Sequence, residues 1–197
     1  MILNRIVALS LFVFSTMAVF STTAVADSID LNLRNSSAQF QYSGSMGREA
    51  LGKAELQIGA LYSEEGNNRN TLGEFGIVVK DEVGSKAPGF SAGVGIKGLV
   101  AHTKGTNESA VAIGGMVRFS PLDLSRLGIV GRIYVAPNIT TFGDADRYIE
   151  TAIQAEYMVI PNAAAYLGYR QIKFNLNTGA SNTSLDEGVF IGVRMAF

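Results

Sequence analysis

Gly188-Val-Phe-Ile-Gly-Val-Arg-Met-Ala-Phe197 decides the fold. In a strand, successive side chains point to opposite faces. Val189, Ile191, Val193, Met195 and Phe197 therefore share one face, with Gly, Arg and Ala among the residues of the other. Chain ends are usually polar and frayed. This one is apolar on one side and finishes on an aromatic, so what touches that side becomes the first question.

The same period of two returns along most of the chain. Leu56, Ile58, Ala60 and Tyr62 oppose Glu55, Gln57 and Gly59; Phe75, Ile77 and Val79 oppose Glu74, Val78 and Lys80. Phe90, Val94, Ile96 and Val100 oppose Ser91, Gly93, Gly95 and Lys97, and Val111, Ile113, Val117 and Phe119 oppose Ala112, Gly114 and Arg118. Leu127, Ile129, Ile133 and Val135 alternate with Gly128, Val130, Arg132 and Tyr134. Ile149, Ile153, Tyr157 and Val159 alternate with Glu150, Gln154 and Glu156. In 164–176 the parity breaks: Leu167 and Tyr169 fall on one face, Ile172, Phe174 and Leu176 on the other, which predicts a bulge near Arg170. Turn-rich stretches separate these segments, giving eight strands from Ala54 to Phe197. Ile29–Leu33 and Ala38–Tyr42 alternate too, as a further hairpin or one irregular strand. Bacterial barrels favour an even total, so ten is preferred within a range of eight to ten.

Composition narrows the setting. Met1 to Ala26 carries one basic residue, Arg5, an apolar run from Ile6 to Phe20, and small residues ending Ala24-Val25-Ala26. That order predicts a cleaved secretory signal peptide over 1–26. Residues 27–197 are then a single domain. With no cysteine, an exported chain must rely on burial or on a closed hydrogen-bond network. The net charge of −1 offers no basic footprint for nucleic acid. No apolar run after residue 26 reaches the ~18 residues of a spanning helix. A membrane location then requires a closed barrel, because in hydrocarbon every backbone group must be paired internally.

The second face separates a soluble sandwich from such a barrel. A solvated sheet face would be dense in Lys, Glu, Thr and Asp; here it is mainly Gly, Ala and Ser with scattered charges of both signs. Glu55, Glu74, Glu150 and Glu156 stand against Lys80, Lys97, Arg118, Arg132, Arg170 and Arg194. Small residues leave room for long polar ones in a narrow lumen, and buried ions there must pair. The expectation is an all-β, antiparallel up-and-down transmembrane β-barrel with these ten residues as its lumen charge network. Walking back from Phe197 puts Pro161-Asn162 and Pro121–Arg126 at the rim of the termini and Asn138–Asp146 and Asn177–Glu187 at the other. Short turns inside and longer loops outside are expected. Phe90, Phe119, Tyr157 and Phe197 fall at the first rim with outward parity, as an interfacial girdle.

The final strand resembles the C-terminal signal of outer-membrane barrels, which their assembly machinery recognises by strand addition; the matching positions are Val189, Ile191, Val193, Met195 and Phe197. Along nearly all of residues 27–197 the sequence resembles the YfaZ family of small outer-membrane proteins. The carrying residues are Asp27-Ser-Ile-Asp-Leu-Asn-Leu33, Tyr134-Val-Ala-Pro137, Gly168-Tyr169-Arg170 and Phe197. That resemblance implies a barrel in the bacterial outer membrane, reached through the periplasm, and brings no biochemical activity with it.

Chemistry-bearing motifs are sparse. His102, the one histidine, is followed by Thr103 and Lys104 and lacks the H-x-S arrangement of barrel deacylases, so no catalytic residue is assigned and no enzyme is expected. One His and no Cys cannot build a zinc set, and no cofactor or metal is assigned. Gly143-Asp-Ala-Asp146 is a fragment of a calcium loop without its closing Glu. Glu64, Glu65, Asp186 and Glu187, read as external, form a solvated loop face or a divalent bridge to lipopolysaccharide. Gly89–Gly98 sets its glycines within a strand, which is not a phosphate loop. The Asn-x-Ser/Thr matches at Asn107, Asn138 and Asn182 carry no weight beside a bacterial export signal. The remaining expectations are a monomeric structural or interaction barrel, its lumen plugged by the charge network, or a porin-like channel for ions or small solutes. Its partners would be outer-membrane lipid, lipopolysaccharide and, during insertion, the assembly machinery.

Overall fold

The computed structural model describes residues 27–49, 52–65, 68–83, 88–103, 106–143, 145–176 and 183–197. The signal-peptide segment 1–26 and Asn182 lie outside these residues. Eleven strands follow one another: β1 (Ser28–Arg34), β2 (Ser37–Glu49), β3 (Gly52–Glu65), β4 (Asn68–Glu82), β5 (Phe90–Thr103), β6 (Thr106–Phe119), β7 (Leu127–Ala136), β8 (Thr141–Gly143), β9 (Ala145–Ile160), β10 (Ala163–Leu176) and β11 (Thr183–Ala196). Each pairs antiparallel with its chain neighbour, apart from β8, and β11 returns to β1 with Ile29 opposite Met195 and Leu33 opposite Ile191. The ring is therefore closed, and no sheet edge is left to template association.

β7 and β8 occupy one position in the wall. Both pair with β6, β7 through Ile113–Phe119 and β8 through Glu108–Ala110. Pro137 and the short 3₁₀ turn Asn138–Thr140 interrupt them, as a residue without a backbone N–H must interrupt a central ladder. The wall thus has ten positions, and Ser28–Ser43 belongs to it. Among the described residues no helix is long and apolar enough to cross a membrane.

Alternation translates directly into an outside and an inside. Phe75, Val94, Ile96, Ile113, Ile129, Ile153, Val189 and Ile191 are exposed on the exterior, while Val78, Val130, Tyr134 and Phe190 are buried. Two of the expectations need correction. β10 has no bulge at Arg170: Arg170, Ile172 and Phe174 all point inward with unbroken parity, and the irregularity falls opposite Ile172/Lys173, so that Leu185 and Asp186 are both buried. Those apolar residues face inward because the far end of the lumen is filled by a hydrophobic cluster, not by charge.

The second correction concerns the loops. The stretches 161–162 and 120–126 do lie at the rim of the termini, here the proximal rim, with 137–140 at the distal one. Parts of the stretches read as outer loops are strand instead: Thr141–Gly143 is β8, and β11 already begins at Thr183. Glu64 pairs with Arg69 and Thr103 with Thr106 as rungs of extended ladders. Polar residues that read as turns are strand tips projecting beyond the apolar belt.

Inward glycines make the narrow lumen possible. The ring of Tyr166 lies on Gly192, its cross-strand partner, where an added Cβ would stand 2.3 Å from the ring. Gly59 likewise underlies the carboxylate arm of Glu74.

Candidate functional site: the filled lumen

The lumen is built in layers. Nearest the proximal rim, Glu156 of β9 is shared by two arginines: Arg118 Nη1 of β6 donates to Oε2 at 2.5 Å and Arg194 Nη1 of β11 to Oε1 at 2.7 Å. Arg194 also reaches Asp30 of β1 through Nε at 2.9 Å, and Asp30 accepts the Tyr166 hydroxyl. Off to one side, Lys80 and Glu55 pair at 2.5 Å and remain partly exposed.

Midway, Lys97 of β5 stands between two carboxylates, at 3.0 Å from Glu74 Oε2 and bonded to Glu150 Oε2. Its ammonium lies 4.3 Å from the centre of the Tyr134 ring, a cation–π contact. Tyr148 donates its hydroxyl to Glu150 at 2.8 Å. On the opposite wall Arg170 is fully buried. It donates to Asp186 through Nε at 2.8 Å and through Nη2, and to Asn32 Oδ1 at 3.0 Å and Gln39 Oε1 through Nη1. Arg34 Nε lies 3.1 Å from the other oxygen of Asp186.

The distal layer is apolar. Phe174, Leu185, Ile172, Leu61, Leu72, Leu99 and the ring of Tyr148 form one buried cluster, with Tyr148 and Phe174 tilted at 4.9 Å. Above it Asn70 Nδ2 donates to the carbonyl of Leu185, and Ser63 Oγ to Asp186, bonds that run from β4 and β3 across to β11. The short β1–β2 hairpin leaves the space through which β11 leans.

Nine of the ten charges singled out in the sequence are thus paired within the lumen. Arg132 is the exception: it faces inward, yet its buried Nε has no hydrogen-bond partner. Sequence reading missed Asp30, Asn32, Arg34, Gln39 and Asp186. Asp30, Asn32 and Arg34 belong to β1, where alternation was visible but membership of the wall was not. Asp186 was read as external because Asn177–Glu187 looks like one loop; it is buried beside two arginines.

The remaining candidates fall as follows. His102 is exposed near the distal rim, with Nδ1 2.8 Å from Asn107 Oδ1. Asp146 accepts from the Asn138 amide, and the side chains of Glu65 and Asp144 lie outside the described residues. Among the described residues no group of three or more His, Cys, Asp or Glu is placed to hold a metal. Val189, Ile191, Val193, Met195 and Phe197 all face outward and are exposed. Phe197 and Asp27 exchange backbone hydrogen bonds at 2.9 and 3.1 Å, so the end of β11 is sewn to the residue before β1. Phe90 and Phe119 stack at 4.5 Å on the proximal rim, with Tyr157 exposed on the same girdle.

The family described as YfaZ precursor matches residues 9–197. The chain belongs to the YfaZ family. No curated protein matches it. Among solved structures, this YfaZ chain is similar to a KdgM porin in complex with disordered oligogalacturonate, at 12% identity and a TM-score of 0.45, covering 88% of this chain and 99% of that one. It is also similar to the outer-membrane channel DcaP of Acinetobacter baumannii, at 9% identity and a TM-score of 0.42, covering 86% of this chain and 62% of that one. OmpT, an outer membrane protein of Vibrio cholerae, aligns at 13% identity and a TM-score of 0.39, covering 82% of this chain and 64% of that one.

Proposed function

We propose that this YfaZ protein is a non-enzymatic barrel of the bacterial outer membrane with a plugged lumen, acting as a structural or interaction element. The observation that carries this reading is the distal layer: Phe174, Leu185 and Tyr148 have no exposed surface, and Ile172 has 1%. An apolar constriction of this kind resists water as well as ions. Beneath it the charges, Arg132 excepted, neutralise one another in pairs, so no single-sign path is presented to a solute. The exterior supports the location, since a continuous belt of Ile, Val, Leu and Phe is stable only against hydrocarbon. The outward face of β11 suits recognition by assembly machinery before closure, when its edge is still unpaired. Lipid and lipopolysaccharide are the partners this exterior fits. A closed ring without a free edge fits a monomer.

A narrow, porin-like channel is the second reading. Arg132 favours it, as a lumen cation without a direct ion pair, together with Arg118 and Arg194, each about a third exposed towards the proximal side. Planar-bilayer conductance separates the two. The plugged reading expects a folded, silent protein; steady single-channel steps altered by Arg132→Glu would replace it with transport.

A further inference from the structure

The exterior carries a depression that neither the girdle nor the lumen explains. It spans β3 to β6, has a volume of about 550 Å³, and is floored by the outward small residues Gly73, Gly98 and Ser109 between Phe75, Val100 and Phe142. A second depression of about 390 Å³ adjoins it towards the distal rim, sharing Val100 and Ser109, and its lining adds the polar side chains of Thr71, His102 and Asn107. Together they make one furrow, apolar where the wall meets hydrocarbon and hydrogen-bonding where it meets the rim.

We infer that this furrow binds one acyl chain of lipopolysaccharide, with the sugar head at its polar end. The volumes lie in the range of ligand sites. The apolar part lies within the lipid-facing belt, so hydrocarbon is already its solvent, and missing side chains at Gly73 and Gly98 admit a chain deeper than the surrounding wall does. The polar end offers both donors and acceptors. His102 Nδ1 meets Asn107 Oδ1 at 2.8 Å, so the imidazole Nε2 and the Asn107 Nδ2 are the groups left for a ligand. With the hydroxyl of Thr71, that set can meet the hydroxyls of a sugar head. Arg69, 76% exposed two residues beyond Thr71 on β4 and 3.6 Å from Glu64, extends this polar end towards the rim. This inference rests on the outer-membrane location proposed above and is independent of whether the lumen conducts.

The chain contains no tryptophan, so one introduced residue is a clean reporter. Phe142→Trp stands at the furrow; Tyr157→Trp stands on the girdle at the opposite rim. Deep-rough lipopolysaccharide is titrated into each protein in detergent micelles. The furrow reporter is expected to change emission saturably at about one lipid per protein, and the girdle reporter is not. Gly98→Leu fills the floor at a position where a Cβ meets only the Phe75 carbonyl at 3.9 Å. It should weaken the response about tenfold or more while leaving heat-modifiable migration intact. The inference is overturned if both reporters respond alike, if Gly98→Leu binds like the parent, or if phosphatidylglycerol gives the same saturable response. Bilayer conductance reads a different property, so a leaky lumen would not disturb the titration.

Discussion

Arg170 and Asp186 meet inside the cylinder with their side chains 1% exposed, and two nitrogens of the guanidinium converge on one carboxylate oxygen. One residue comes from β10 and the other from the irregular start of β11, so the pair ties the leaning tip of β11 to the wall. Its other ligands, Asn32, Gln39 and Arg34, belong to the first hairpin. The contact therefore joins the first and last strands of the wall across the closure seam.

Breaking that pair from one side should be costly. Arg170→Ala leaves Asp186 buried with Arg34 as its remaining cation, and removing one partner of a buried ion pair typically costs about 3–5 kcal/mol. The double variant Arg170→Met with Asp186→Leu removes both charges and should recover most of the loss. Urea unfolding in lipid vesicles, followed by heat-modifiable migration, reads both; equal instability of the single and double variants would contradict the argument.

The floor beneath Tyr166 makes a steric prediction. Gly192→Ala places a methyl 2.3 Å from the ring, too close for any rotamer adjustment of the methyl itself. Overpacking of this kind costs about 1–3 kcal/mol. In a Tyr166→Leu background the same substitution should cost much less. A double-mutant cycle on unfolding midpoints measures the coupling, and additivity would rule out the contact as its origin.

These two sites also mark what could be read from sequence. Alternation at period two identifies outside and inside wherever the outer residues are Ile, Val or Phe and the inner ones Gly, Ala or charged. It failed at Ile172 and Phe174, because an apolar residue facing a filled lumen has the same one-dimensional signature as one facing lipid. It failed at Asp186, because strand tips beyond the hydrocarbon no longer need apolar outer residues and so read as loops. The pairing of particular charges was beyond it too: Lys97 meets Glu150 across the lumen, a relationship set by the curvature of the closed wall and by no local spacing. The ten-position wall was legible because eight strands alternate plainly and the first hairpin, though short, makes the number even.

The exterior predicts a dependence on depth. Ile191 is exposed in the middle of β11, whereas Met195 lies at its proximal end. A lipid-facing Arg costs about 2–4 kcal/mol at the bilayer midplane and falls towards about 0–1 near the interface. Ile191→Arg should therefore destabilise the barrel by several times as much as Met195→Arg in the same vesicles. Equal effects would mean that the belt does not lie in hydrocarbon. The companion test of the closing aromatic is kinetic: Phe197→Ser should slow assembly in outer-membrane extracts more than it lowers the stability of the folded barrel.

The apolar cap supplies the last prediction. Phe174 is fully buried, packs on Tyr148 at 4.9 Å, and sits in the layer that separates the distal rim from the charged interior. Phe174→Ala removes most of a ring from that layer, at a cost of about 3–5 kcal/mol. It also leaves a gap bordered by Tyr148 and Glu150, whose hydroxyl and carboxylate are already joined, so water has a polar partner on the inner side of the breach. If the cap is what closes the lumen, Phe174→Ala should show conductance steps in planar bilayers where the parent shows none. Those steps should then be reduced by restoring bulk nearby with Ala112→Leu, since Ala112 belongs to the same cluster. A Phe174→Ala barrel that folds and stays silent would move the seal to the ion-paired layers below. In that case Lys97→Met, which unpairs Glu74 and Glu150 together, becomes the variant expected to open it.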